Sequence, residues 1–282
     1  MNHHPLRLTS LCLLLFTLAL AIPGQSATLL YDDFQSYTPG STPTRPNDGN
    51  LNNWYFNSTY TAATVAGSSP GGAPPNNQIL HVSKPDTGGY SSFGRSFEAQ
   101  TKDILKVTLN LQFHSFDDSA YLIQLTNSAT PISSTNTSPA AVVSLRFSSN
   151  NLGVQGGTTG AGAGVTTYWN PQGGVLKLEN WYRFEIVVDF SQQKFRLTVT
   201  NLTDPSQGGS TPDYYFISNS SSINGLLFRT LATNVSPTNR ALDWSLNDVH
   251  VQTIPEPAAA SLLLGALLLL SAKKLRPRRS LD

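Results

Sequence analysis

The sequence predicts an all-β protein: a two-sheet antiparallel β-sandwich, with an N-terminal signal helix before it and a C-terminal apolar helix after it. Three observations predict the sandwich. Several segments alternate apolar and polar residues with period two, as half-buried strands do. No stretch between residues 28 and 254 sustains a helical period. The apolar segments are separated by runs rich in Ser, Thr, Asn, Gly and Pro, which read as turns and loops. A sheet that is apolar at alternate positions buries only one face, so two sheets must pack together.

Taken from the N-terminus, Arg7 precedes an apolar run from Leu8 to Ile22. Pro23-Gly24 breaks that run and Gln25-Ser26-Ala27 closes it with small residues. This is the charged, apolar and small-residue layout of a secretory signal, so residues 1–27 read as a signal peptide and residues 28–252 as the sandwich domain. The predicted strands are 29–34, 78–83, 91–97, 106–116, 120–126, 142–147, 182–190, 194–200, 226–231 and 242–252. Alternation is clearest where Val107, Leu109, Leu111 and Phe113 share one face, and where Tyr182, Phe184, Ile186, Val188 and Phe190 share another. Ser191-Gln192-Gln193 is short enough to join 182–190 and 194–200 as a hairpin. Residues 39–53, 67–77 and 153–174 read as loops.

Composition excludes several functions. The whole chain carries a formal charge of +1, but Arg7 and five basic residues near the C-terminus lie outside the domain. Between residues 28 and 254 there are 12 Lys and Arg against 15 Asp and Glu. That balance argues against nucleic acid, whose affinity rests on basic surface. The single cysteine, Cys12, lies in the signal segment, so the domain has no disulfide, no thiol nucleophile and no Cys-ligated metal.

Residues 253–282 form a separate tail. Pro255-Glu256-Pro257 is followed by an apolar stretch, 258–272, and then by Lys273-Lys274-Leu275-Arg276-Pro277-Arg278-Arg279. As a helix, the apolar stretch spans roughly 22 Å, short of the ~30 Å hydrocarbon core. The basic cluster after it belongs on the cytoplasmic side, opposite the exported domain. The order of triplet, apolar helix and basic cluster resembles the PEP-CTERM sorting tail. The resemblance implies an exosortase-type processing protease as partner and a membrane-held helix before processing. It also implies a final place at the cell surface, the outer membrane or the extracellular matrix of a Gram-negative, biofilm-forming bacterium.

A second resemblance covers the domain. Leu30-Tyr31-Asp32-Asp33-Phe34-Gln35-Ser36-Tyr37, Asn180-Trp181-Tyr182-Arg183-Phe184 and Leu242-Asp243-Trp244-Ser245-Leu246-Asn247-Asp248-Val249 resemble the first, central and closing strands of concanavalin A-like (laminin G-like) jelly rolls. The resemblance implies a jelly roll, often carbohydrate-binding, in which first and last strands are neighbours. It would bring Asp32, Asp33, Asp243 and Asp248 together, and clustered carboxylates with backbone carbonyls suit a structural Ca²⁺.

Catalytic signals are sparse. Glu185 and Asp189 share a strand face, but four strand residues separate their Cα atoms by roughly 13 Å, and the Glu-x-Asp-x-x-Glu pattern of laminarinase-like enzymes is incomplete. His81, His114 and His250 lack metal-ligand spacing. Trp54, Tyr55, Tyr168, Trp169, Tyr214 and Tyr215 flank loops and are the candidates for stacking on a sugar ring, whereas Trp181 and Trp244 read as structural. The expectation is therefore a non-catalytic exported protein that binds carbohydrate or is structural in an exopolysaccharide matrix, with a glycoside hydrolase or lyase as the alternative.

Overall fold

The computed structural model describes residues 26–41, 54–56, 62–66, 78–84, 92–101, 104–115, 120–128, 140–148, 151–157, 165–168, 176–231 and 242–254. The signal segment to Gln25, Trp169, the Pro255-Glu256-Pro257 triplet and the apolar tail lie outside them. In chain order the strands are β1 (Thr28–Asp32), β2 (Trp54–Phe56), β3 (Ala62–Ala66), β4 (Ile79–Lys84), β5 (Ser92–Gln100), β6 (Ile104–Phe113), β7 (Ala120–Asn127) and β8 (Ala140–Ser148). They continue with β9 (Asn151–Gly156), β10 (Val165–Tyr168), β11 (Trp181–Asp189), β12 (Lys194–Asn201), β13 (Gly208–Ser210), β14 (Tyr214–Tyr215), β15 (Ile223–Leu231) and β16 (Leu242–Ile254). No helix occurs among the described residues.

The strands form two sheets. The larger has nine strands, ordered β13-β12-β11-β6-β16-β4-β3, with β1 also on β16 and β14 also on β12. The smaller has seven, ordered β10-β9-β8-β7-β15-β5-β2. The expected all-β sandwich of antiparallel sheets is therefore present. Inward residues of both sheets form one core, including Val107, Leu109, Leu111, Phe184, Ile186, Leu197, Ile123, Leu145, Val154 and Leu226. The hairpin from Asp189 to Lys194 forms as expected, with Gln193 at φ 52° in its turn.

Strand β16 carries most of the topology. Its first half pairs with β4, from Leu242↔Lys84 to Leu246↔Leu80. Its second half pairs with β1, from Val249↔Asp32 to Gln252↔Thr28. Trp244 and Leu246 face the core, and so do Val249 and Val251, which shifts the alternation by one residue. Asp248 takes up the shift at φ 49°, with its N–H on its neighbour Asn247 Oδ1 at 2.7 Å. This is the geometry of a bulge, one extra residue that bends a strand.

One expected loop is partly strand. Residues 153–174 contain the end of β9 and all of β10, which form a hairpin with Val165 opposite Gly156. At Gly156 the sheets close on each other: a Cβ there would lie 2.8 Å from Tyr214 Cβ and 2.9 Å from Tyr215 O. The next residue, Gly157, bonds the Tyr215 backbone in both directions, at 3.0 and 2.9 Å. Glycine is required here by the close approach of two backbones.

Candidate functional site

The alternation that sends Val107 to Phe113 of β6 inward sends Lys106, Thr108, Asn110 and Gln112 to the outer face of the larger sheet. His114 follows in that phase. Along β16 the same logic places Asp243 and Ser245 outward, opposite Trp244 and Leu246, and along β4 it places His81 outward between Leu80 and Val82. Register then aligns them: Ser245 stands opposite His81, and Asp243 opposite Ser83. The His114 N–H donates to the Asp243 carbonyl at 2.9 Å, which locks β6 onto β16 at this level.

Glu179 completes the group from the turn before β11. It holds a left-handed backbone at φ 61°, a conformation costing a non-glycine residue about 1–2 kcal/mol. Two bonds pin it there. Its N–H donates to Phe113 O at 2.9 Å, and its carbonyl accepts from Gln112 Nε2 at 2.8 Å.

The side chains join in two pairs. His114 Nδ1 lies 2.9 Å from Glu179 Oε2, and its Nε2 lies 2.8 Å from Ser245 Oγ. His81 Nε2 lies 2.7 Å from Asp243 Oδ1. The two imidazoles meet edge to face, with centroids 5.6 Å apart and planes at 83°. An ionised carboxylate only accepts, so the Glu179 contact assigns the proton of His114 to Nδ1 and leaves Nε2 to accept from the Ser245 hydroxyl. That is the connectivity of a Ser–His–acid relay. Ser245, however, is wholly buried, so its hydroxyl anchors the ring and does not face a substrate. His81 and Asp243 are the open side, with side chains 34% and 40% exposed. His81, His114 and Asp243 each offer one ligand atom, all within 4.8 Å of one another, and so form a group able to hold a metal ion.

Beyond this group the face continues as a chain of polar contacts. Asn110 Nδ2 donates to Asp248 Oδ2 at 3.0 Å, and Arg183 Nε donates to Asn110 Oδ1 at 3.2 Å. Glu185 pairs with Lys106. Asp189 closes the hairpin, accepting from Ser191 Oγ at 2.6 Å and Gln192 Nε2 at 2.6 Å. The third histidine, His250, stands apart against Tyr31, with ring centroids 5.6 Å apart. Burial, then the charge of Lys106, pushes its pKa below the ordinary value.

The aspartates expected to hold Ca²⁺ do not converge. Strands β1 and β16 are neighbours, as the jelly-roll resemblance implied, but Asp32 points into the sandwich. Its Oδ2 accepts from Trp54 Nε1 at 2.7 Å, Arg95 NH1 at 2.9 Å and Tyr37 OH at 2.9 Å, and its Oδ1 accepts from the Phe34 N–H at 2.9 Å. Asp33 bonds locally, to the Gln35 N–H at 3.0 Å. Asp243 faces His81, and Asp248 faces Asn110. In place of an oxygen cage, the structure offers two imidazoles and one carboxylate.

The aromatic candidates also disperse. Trp54 is fully buried, packed against Phe34, Phe93 and Phe228, so its face is not open to a sugar. Tyr214 is a core residue. Tyr215 is half-buried beneath the Lys194 ammonium, 4.9 Å from its ring centre. Tyr55 is half-buried on β2, where burial raises its pKa. Tyr168 takes the β10 position opposite Gly153. Trp181 and Trp244 are buried, as a structural role requires.

The smaller sheet has its own outer face. Register aligns Leu227, Gln124, Ser144 and Gln155 in one row, and Arg229, Leu122, Arg146 and Gly153 in the next. Three buried polar atoms on this face, Gln124 Oε1, Thr126 Oγ1 and Arg146 Nε, have no hydrogen-bond partner. Sequence reading missed both this face and the histidine group. Alternation marks each residue as outward, but nothing in the spacing says which strands adjoin.

No protein-family model matches the sequence, and no curated protein matches it. Among solved structures, the chain is similar to the catalytic domain of a β-glucanase of glycoside hydrolase family 131 from Podospora anserina. The TM-score is 0.53 at 10% identity, covering 82% of this chain and 100% of that one. It is similar in the same way to the catalytic domain of a glycoside hydrolase family 131 protein from Coprinopsis cinerea, with TM-score 0.52, 13% identity, and coverage of 82% and 99%. It also resembles part of a sialidase, with TM-score 0.51, 15% identity and coverage of 82% of this chain, but spans only 19% of that protein. At these identities the likeness concerns the fold. It nevertheless corrects the expectation of a non-catalytic domain. That expectation rested on the want of a spaced acid pair in the sequence, whereas solved structures of this fold, matched over 82% of this chain, include catalytic domains, and the folded chain brings His81, His114, Glu179 and Asp243 together from four segments.

Proposed function

We propose that the protein is a carbohydrate-active enzyme, a glycoside hydrolase or polysaccharide lyase, whose chemistry is carried by the His81–Asp243 and His114–Glu179 pairs. The single observation that supports it is the convergence of two imidazoles, each backed by a carboxylate, on one outer sheet face. Cleaving a glycosidic bond by hydrolysis or by elimination needs a proton delivered to the leaving oxygen and a base for water or for a ring carbon. His81 stands at the open side and exchanges the proton. Asp243, 2.7 Å from its Nε2, orients it. His114, held by Glu179 and Ser245, supplies a fixed second imidazole. The fold shared with family 131 catalytic domains agrees with a carbohydrate substrate.

A second reading is favoured by the unpartnered atoms of the smaller sheet. Buried polar groups cost free energy unless bonded, and Gln124, Thr126 and Arg146 would gain partners from the hydroxyls or carboxylates of a glycan lying across that face. One experiment separates the two. The purified chain is incubated with neutral and uronate-containing polysaccharides, and both reducing ends and the ultraviolet absorbance of unsaturated ends are followed. His81→Ala and Glu179→Gln are expected to lower kcat by about 10²-fold or more with KM little changed, while Arg146→Ala leaves kcat and KM alone. If Arg146→Ala abolishes turnover and His81→Ala does not, the site is on the smaller sheet. If no polymer yields either kind of end, the enzyme reading falls.

Export and sorting are part of the same proposal, and the sequence of the two ends supports them. The mature protein is expected outside the cytoplasm, shortened at both ends. Replacing Pro255-Glu256-Pro257 with alanines should leave it at full C-terminal length in the membrane fraction, as read by intact mass. Unchanged processing of that variant would remove the sorting assignment.

A further inference from the structure

We infer that His81, His114 and Asp243 form a binding site for one transition-metal dication of the Zn²⁺ class, with Glu179 orienting His114 towards it. It does not rest on the carbohydrate reading, although it draws on the same residues: an ion between His81 Nε2 and Asp243 Oδ1 would take the place of the proton they share, and its open position, not the His81 proton, would then serve any chemistry.

The donor set points to the metal. Two imidazole nitrogens and one carboxylate oxygen suit Zn²⁺ and its neighbours, whereas Ca²⁺ and Mg²⁺ take oxygens almost throughout. The electrostatics favour a cation. Among the described residues, the ion pairs of Asp243 and Glu179 are made with these two histidines and with no Lys or Arg. Geometry allows it with small movements. Ligands about 2.0–2.1 Å from a tetrahedral ion sit roughly 3.4 Å from each other. The three candidate atoms are within 4.8 Å of one another. One pair, His81 Nε2 and Asp243 Oδ1 at 2.7 Å, must part by about 0.7 Å. Both side chains are more than a third exposed, which leaves room for that shift on the solvent side.

The surroundings resemble those of a metal-ligating histidine. Such a ring donates its far N–H to a carboxylate, which fixes tautomer and orientation, and His114 Nδ1 does so to Glu179 at 2.9 Å. The Glu179 backbone is itself pinned in a strained conformation by Phe113 and Gln112. Nε2 of His114 is the basic nitrogen; it accepts from the Ser245 hydroxyl at 2.8 Å, and a metal ion would have to take that lone pair from the hydroxyl. The three ligands come from three hydrogen-bonded neighbours, β4, β16 and the end of β6, so the sheet holds them in place. Three protein ligands leave a fourth tetrahedral position open, as in sites where zinc serves chemistry and not only structure.

The test is calorimetric titration of ZnCl₂ and, separately, CaCl₂ into the full chain carrying His3→Ala and His4→Ala, which removes the paired histidines near the N-terminus. About one Zn²⁺ per chain is expected and no Ca²⁺ heat. His81→Ala and Asp243→Asn should each weaken Zn²⁺ by about 100-fold or more, and Glu179→Gln by about 10–100-fold. His250→Ala should change nothing. Circular dichroism confirms that each variant is folded, and Glu179, with a side chain 50% exposed, is the substitution least able to disturb the core. The inference is overturned if Zn²⁺ does not bind, if His81→Ala binds it as well as the parent, or if Ca²⁺ binds equally at this site. A chain that binds zinc but cleaves no polysaccharide would keep this inference and remove the enzyme reading. Turnover that persists without zinc binding and in the presence of chelator would do the reverse.

Discussion

Asp32 shows how a carboxylate that looks like a ligand becomes a structural part. It is 6% exposed and is satisfied by an indole, a guanidinium, a phenol and a backbone amide. Its charge is tolerated because Arg95, with an 11% exposed side chain, sits 2.9 Å away. Removing one partner of a buried pair strands the other, at a cost of about 3–5 kcal/mol. Asp32→Ala should therefore destabilise the fold by that amount in urea unfolding, whereas Asp33→Ala, at an exposed site with local bonds, should stay within about 0.5 kcal/mol. Equal effects at the two positions would mean that the network carries little of the stability. The sequence did contain the distinction. Leu30, Asp32 and Phe34 fall in one alternating phase and Asp33 in the other, although both aspartates read as Ca²⁺ candidates. What it lacked was the partners. Arg95 and Trp54 reach Asp32 only after β5 and β2 have paired, with Trp54 opposite Arg95. The same holds for His81 and His114, legible as outward residues but not as neighbours.

Among elements, the long alternating strands were readable and the short ones were not. Strands β6, β11 and β12 announce themselves because each buries four or more residues of one phase. Strands β2, β13 and β14 are too short to show a period, and β9 and β10 flank or contain glycines that imitate a loop. The β11–β12 hairpin is the element whose turn chemistry can be tested by pH. Partial burial alone would raise the pKa of Asp189, but the hydrogen bonds from the Ser191 hydroxyl, from Gln192 and from the Ser191 backbone outweigh it and hold the carboxyl below its ordinary value. A depressed folded pKa means that the carboxylate adds stability above its unfolded pKa, and that this is lost as pH falls through the folded value. Asp189→Ala should lower the thermal midpoint at pH 7 by an amount equivalent to less than about 1 kcal/mol, given its exposure. The difference from the parent should shrink as the solution is taken below the usual carboxylate range. A gap that stays constant down to strongly acidic pH would show that the turn does not depend on the charge.

At the scale of the whole molecule, the first and last strands are paired, with Thr28 opposite Gln252, and the histidine group draws on residues 81, 114, 179, 243 and 245. Nothing local in the chain can form the site early, since non-local strand pairing must pay its loop-closure entropy first. The group also sits on hydrogen-bonded strands in the interior order of the nine-stranded sheet, β11-β6-β16-β4, and its four segments are cross-linked at backbone level by His114 to Asp243 and Glu179 to Phe113. Local opening belongs to segments with few buried contacts, and these strands instead hold the core residues Leu111, Phe113, Trp244, Leu246 and Val82 on their other face. Loss of the site and loss of the core should therefore be one event. Trp54 and Trp244 report the core, through the aromatic cluster they share with Phe93 and Phe228. The ring signals of His81 and His114 in nuclear magnetic resonance report the site. Followed through the same urea series, the two probes are expected to give coincident midpoints and one slope. If the histidine signals reach their unfolded positions at a denaturant concentration where tryptophan emission is still native, the site is a separately opening edge of the sheet, and the rigidity assumed for its chemistry does not hold.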